Sequence, residues 1–306
     1  MQPGALRALE FDRIVAAVAE LALTPMGARR LAQLQPSTAP DEVAALLART
    51  TEAVRFLEAG GAFPLRAAPG LTDTLGALGV VGRPLEAQRL LGLAAFFDSV
   101  DDTRAAIRRT PGSFPHLGAL GGRAASFESE TAAIHRAIDA SGYVVDHASA
   151  ALKTLRDRLR QQRTRLRATL EGYLRGRDAS KHLQEQIVTE RGGRAVLVVK
   201  AEHRGSIPGI VHGSSASGAS LFLEPLATVE ISNDIVGLEE QEQEEVLRIL
   251  LALTDAFRGR SEDVERTVDA AAALDVIQAR AAFSTSIDGV EPVLSADGRF
   301  ELRAAR

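Results

Sequence analysis

The residues with chemistry to offer gather between positions 181 and 225. Arg191, Arg194, Lys200 and Arg204 are cations there, His203 and His212 can titrate, and Ser214, Ser215 and Ser217 supply hydroxyls. Arg and Lys neutralise phosphates, while hydroxyls and glycine-flanked backbone amides donate to phosphate oxygens. Contact with a nucleic-acid backbone is therefore the chemistry to consider. The same residues have a plainer reading, because Gly192-Gly193 and Ser217-Gly218 are what tight turns require. Five Lys/Arg stand against four Glu from Lys181 to Pro225, a mildly basic balance that leaves both readings open. Phe222 is the one aromatic residue of the stretch, so base stacking has no other platform.

Other chemistries are narrowed by what the sequence lacks. It has no Cys, so disulfides, Cys-based zinc sites and thiol nucleophiles are excluded. The absence fits a reducing, cytoplasmic setting. A P-loop needs Gly immediately before its Lys, so that backbone amides cradle phosphates while the amine reaches them. The three lysines here follow Leu152, Ser180 and Val199, so ATP binding by that motif is not expected. The six histidines, at 116, 135, 147, 182, 203 and 212, show no metal-ligand spacing. His203 and His212 could meet across strands, but a polar surface role is the simpler reading. No catalytic or metal residue is assigned. Net charge is −4, so the chain as a whole does not advertise a polyanion partner, and any such contact must be local. Its basic residues are 33 Arg against 3 Lys, which reads first as compositional bias. No stretch approaches 18 uncharged apolar residues, and neither a signal peptide nor a membrane contact is expected.

The elements that must position the 181–225 stretch are helical. Thr24-Pro25 places an N-cap before a Pro at the first helical position and opens a helix to about Gln35. Pro40-Asp41-Glu42 opens the next, ended by Gly60-Gly61. A Gly/Pro-rich linker is expected from about Gly61 to Pro84. Helices are expected again over 84–109 and 123–139, separated by the breaker-rich Thr110–Gly122. Asp146 to Ser149 offers caps for a long helix reaching about Gly176, about 40 Å at 1.5 Å per residue. Leu152, Leu155, Leu159, Leu166, Leu170 and Tyr173 give it a coiled-coil seam, and Arg and Lys cover most of the rest.

The pattern then switches to two hairpins, Ile187–Glu190 with Arg194–Lys200 and Ile210–Gly213 with Ala219–Leu223. A second long helix follows to Phe257, acidic in its early half, and a last helix starts at Ser261. Pro292 to Arg306 reads as a strand beginning. A basic helix and an acidic helix flank a compact β insert, so they should return antiparallel. Pairs are expected to sum to roughly 410, which sets Arg165 and Arg167 against Glu242, Glu244 and Glu245. Pairing of this kind would neutralise the arginine helix and weaken its own claim on nucleic acid. The fold class expected is mainly α with a small inserted antiparallel β module. It comprises a helical core over 1–145 and 259–306, lever helices over 146–180 and 227–258, and a β clamp over 181–226 at their tip.

The residues also resemble a known family. Leu9-Glu10-Phe11-Asp12-Arg13-Ile14, Thr24-Pro25-Met26-Gly27 and Leu34-Gln35-Pro36-Ser37-Thr38 look like the start of the second bacterial MutS paralogue, the Smr-containing MutS-like endonucleases. Leu183 to Arg191 and the run Val199 to His212, continued from Ser215 to Pro225, are similar to that family's most specific blocks. The resemblance covers the whole chain. It implies core, lever and clamp regions, with the clamp reaching nucleic acid. It further implies a parent that is an ATPase using ATP and Mg, an endonuclease and a homodimer. Such a parent would act on branched DNA in suppression of homologous recombination or, alternatively, contact and split collided ribosomes through rRNA. A purely mechanical or dimerisation scaffold is the third reading. The chain would then be a non-catalytic piece ending where the ATPase would begin. Phe56-Leu57-Glu58 and Phe222-Leu223-Glu224 match a Phe-x-Glu mismatch wedge only formally, since one lies on an amphipathic helix and the other at a strand end.

Overall fold

The computed structural model describes residues 6, 9–295 and 301. The chain is mainly α-helical, with one small antiparallel sheet inserted between long helices. It divides into two units, one of Met1–Tyr143 with Leu250–Arg306 and one of Val144–Ile249.

In the first unit, α1 (Phe11–Ala19) and α2 (Pro25–Ala32) precede α3 (Pro40–Glu58). Thr24 caps α2 as its spacing demands: the Gly27 amide donates to Thr24 Oγ1 at 3.0 Å, and Pro25 fills the first turn without an orphan N–H. That cap is held by a buried carboxylate from far along the chain. Asp275 accepts from Leu23 N at 2.9 Å, Thr24 N at 2.8 Å and Thr24 Oγ1 at 2.7 Å. Burial pushes its carboxyl above the ordinary range, against the opposing pull of those three donors. Gly27 is required beside it, because a Cβ there would collide with the Asp275 carboxylate.

Two helices stand where breakers and linker were expected. α4 (Leu71–Leu78) interrupts the 61–84 linker, and α6 (Pro115–Arg123) lies inside the 110–122 stretch; α5 (Ala87–Arg109) runs between them. Both helices owe an end to a distant side chain. Glu52 of α3, itself buried, accepts from the first-turn amides of His116 at 3.1 Å and Leu117 at 2.7 Å. Arg258 donates to the carbonyl of Leu78, the last residue of α4, and to Val80 O just past it, each at 2.8 Å. The helix expected over 123–139 is shorter, α7 (Glu128–Ala137). Phe97, Phe127 and Phe257 form one stacked cluster with centroids 4.2–5.5 Å apart, and Phe56 packs edge-on against Phe63 and Phe114. Phe56 is fully buried, which makes it a core residue and no wedge. The last helix, α11 (Ser261–Ser286), packs on α1, α2, α3 and α6. Residues 291–295 carry no regular structure; the remainder of the strand expected over 292–306 lies outside the described residues, apart from residue 301.

The second unit is built on α8 (Ala150–Leu174) and the first part of α10 (Leu226–Arg258). A single turn, Asp146–Ala148, leads to Ser149, whose hydroxyl accepts from Leu152 N at 3.0 Å and donates to Glu245 Oε1 at 2.5 Å. The helices run antiparallel: Arg156 pairs with Glu242 at 2.7 Å and Arg163 with Glu239 at 2.6 Å. Leu159 is buried with Ile231, Ile235 and Leu238, flanked by Leu155 and Leu166. The register expected from the sequence is therefore displaced by about two to four turns. Arg165 and Arg167 are exposed and do not meet Glu242, Glu244 or Glu245. The cause is the size of the insert. α8 ends at Leu174 and the chain from 175 onward, with α9 (Ala179–His182), belongs to the β module. Arg156 is only 6% exposed and also donates to Val144 O and Asp146, each at 2.7 Å.

Two outcomes follow. Asp275→Ala should cost about 3 kcal/mol, because two buried donors of Thr24 and the part-buried Leu23 amide lose their acceptor; a lowered urea midpoint with unchanged slope measures it. Glu245 is held down to about 2, chiefly by the Arg248 guanidinium and then by Ser149, against desolvation. Its stabilisation is complete above the ordinary 4.5 and is lost as pH falls through about 2. Glu245→Gln should therefore lower the urea midpoint at pH 7, and the gap should close as pH falls from 4.5 toward 2.

Candidate nucleic-acid interface

The sheet comprises β1 (Leu183–Arg191), β2 (Arg194–Lys200), β3 (Gly209–Ser214) and β4 (Ser220–Pro225), in the order β1-β2-β4-β3 with every neighbour antiparallel. The β-branched run of β2 makes it a central strand. One face buries Leu197, Val199 and Leu223 against Leu170 of α8, Ala179 of α9, Leu183 and Ile207. Alternate side chains, Arg194 and Lys200 among them, lie on the other face.

The register places eight of the nine candidate residues at the two ends of the sheet and leaves His212 between them on β3. At one end, Gly192 and Gly193 turn β1 into β2 with φ of 56° and 76°. Arg191 and Arg194 flank that turn as cross-strand partners. At the other end, Lys200 pairs with Ser220 and Ala201 N donates to Ala219 O at 3.0 Å. This brings the short turn Ala201–His203, with Arg204, beside the β3–β4 turn that carries Ser214, Ser215 and Ser217. α9 lies at the same end: Lys200 Nζ donates to Ser180 O at 3.1 Å, and the rings of His182 and His203 are 5.2 Å apart. Six of the nine candidates thus converge with His182 and the exposed Lys181, two residues that the hairpin pattern passes over because they lie on α9.

Several candidates are committed to the fold. Glu224, 1% exposed, is the reason: His212 Nε2 lies 2.7 Å from its Oε2 and Arg194 Nη1 3.6 Å from its Oε1. Arg194 also donates to Asn233 of α10 at 2.8 Å. A carboxylate buried this deeply needs cations around it, so Arg194 and His212 close a structural network. His212 and His203 do not meet, and among the described residues no group of three His, Cys, Asp or Glu could hold a metal. Arg191 stacks on Phe222 with its guanidinium carbon 4.2 Å from the ring centroid. Ser215 and Ser217 serve their own turn: Ser220 N donates to Ser215 Oγ at 3.1 Å and Ala219 N to Ser217 Oγ at 3.5 Å, with Gly218 at φ 70°. His203 stands 3.7 Å from exposed Glu202. Arg204, Ser214 and Lys181 remain exposed. The arrangement can neutralise and hydrogen-bond phosphates at one end of the sheet, and it contains no nucleophile–base pair.

The chain is similar along its whole length to several curated proteins. It is 34% identical over 311 residues to Endonuclease MutS2 of Geobacillus sp. (strain WCH70) and 37% identical over 314 residues to Endonuclease MutS2 of Symbiobacterium thermophilum. It is 32% identical over 311 residues to Putative endonuclease MutS2 of Bacillus subtilis (strain 168). The chain spans 38–39% of the length of these relatives. No family model matches it.

Glu224→Leu should leave Arg194 and His212 without their shared counter-charge. A loss of about 3 kcal/mol is expected, seen as faster hydrogen exchange in β3 and β4 than in α8.

Proposed function

The chain is a MutS2-family sequence over the stretch it spans, and we propose that its β module is a clamp that grips a DNA backbone without cutting it. The observation that carries this reading is the convergence of Lys181, His182, Lys200, His203, Arg204 and Ser214 at the end of the sheet formed by α9, the 201–204 turn and the β3–β4 turn. These side chains come from separate segments, yet they present cations and donors on one end of a rigid sheet. Phosphate contact needs that placement and no base-specific geometry. The module thus supplies position, while any chemistry belongs to other parts of a MutS2-type protein. Two of the α8 arginines support this division, because Arg156 and Arg163 are paired with α10 and are not available to DNA, whereas Arg165 and Arg167 stay exposed.

Such binding is weak, salt-dependent and indifferent to sequence. The double variant Lys181→Glu/Arg204→Glu tests it, since both side chains are exposed and the fold does not use them. Binding of linear and branched duplexes should fall together, and the slope of log K against log salt should shrink by roughly 2, about 0.9 for each phosphate that is no longer neutralised. Unchanged affinity at low salt overturns the reading. Retention on collided disomes, abolished in the same double variant, with no binding of free DNA, would replace DNA with rRNA as the target.

A further inference from the structure

A cleft of about 430 Å³ lies wholly within the first unit, between α4 and the first turns of α11. Leu75 and Leu78 line it from α4, Val264 and Val268 from α11, and Phe257 from the end of α10. An apolar cleft above about 300 Å³ is the usual form of a binding site. Two features leave it formed before anything binds. Arg258 fixes its lip: the guanidinium donates to Leu78 O and Val80 O at 2.8 Å and to Arg83 O at 3.1 Å, so the loop after α4 needs no ordering on binding. Gly76 leaves room in its wall, since a Cβ there would meet no atom within 4 Å.

Size and charge select the occupant. The volume is about three times the ~150 Å³ that holds one benzene ring, so it takes more than one apolar side chain. Val80 and Val81, 50% and 83% exposed, carry the apolar surface past the mouth. A protein segment can cover that extension, whereas a small molecule filling the cleft does not. Two helices edge the cleft, as in grooves that receive an amphipathic helix. The charge at the mouth is negative. Arg258 is neutralised by Asp255, while Glu265 lines the cleft, is exposed and, among the described residues, has no ion pair. Glu262, one turn earlier on α11, is exposed and likewise without an ion pair among the described residues. We propose that this cleft is a docking groove for an amphipathic helix of a partner protein. Apolar side chains at i and i+3 or i+4 fill it, and a Lys or Arg beside them meets Glu265.

Two fluorescein-labelled peptides test this, one of leucine and lysine and one of leucine and glutamate in the same amphipathic helical pattern. Titrated with the chain at about 0.15 M salt, the leucine–lysine peptide should bind tighter by about tenfold or more. Gly76→Leu fills the cleft where the added side chain has room, and should weaken that binding by about tenfold. Glu265→Lys should reverse the order of the two peptides. Both substitutions are at exposed positions, so the fold tolerates them, and an unchanged urea midpoint checks this. No binding of either peptide, equal binding of the two, binding that Gly76→Leu leaves unchanged, or an order that Glu265→Lys leaves unchanged each overturns the groove. Hexylammonium bound by the wild type and lost in Gly76→Leu, with neither peptide bound, replaces the helix with a small amine as occupant.

Discussion

The Asp275 carboxylate is the contact on which the first unit depends. It gathers three donors from residues 23 and 24, some 250 positions away, and so fixes α11 against the start of α2. Without an acceptor there, the turn before α2 would bury amides with no partner. With it, Gly27 must remain glycine, and Leu31 meets Val18 and Ala279 in one cluster. The interaction is polar, yet it determines where apolar side chains come to rest. Glu52 and Arg258 repeat the device at α6 and α4.

This explains which parts of the fold were legible in the sequence. Helices whose ends are satisfied locally announce themselves. Thr24-Pro25 and Ser149 are such signals, and α2 and α8 begin there. Glu52 reaches α6 from more than 60 positions away, and Arg258 reaches α4 from about 180. No local window contains either pair, so Pro115 and Gly118 read as breakers. The two hairpins were legible because their alternation and glycine turns are local too. The helix-pair register was not. It depends on where α8 stops, and residues 175–180 read as part of the lever although α8 ends at Leu174 and Ala179 packs with the β module.

The site was half legible, for a related reason. Residue types and turn spacing point to the right stretch of chain. They do not reveal that Glu224 is buried, and its burial is what commits Arg194 and His212 to the fold. Strand register then decides which remaining cations share an end. Lys200 opposite Ser220 places Arg204 near Ser214, and it brings α9 with Lys181 and His182 into the group. A cation is available to a ligand only after the protein's own carboxylates have been counted.

Glu224 also makes the β module indivisible. Its partners come from β2 and β3, and Arg194 extends the network to Asn233 of α10. A hairpin of β3 and β4 alone would expose the carboxylate to water on one side and leave its charge half-answered. The two hairpins are local in sequence, whereas the β2–β4 ladder that joins them pairs residues some 20 to 26 positions apart. The charge is sealed only when that ladder and α10 are in place together. The network therefore ties both hairpins and α10 to one buried charge.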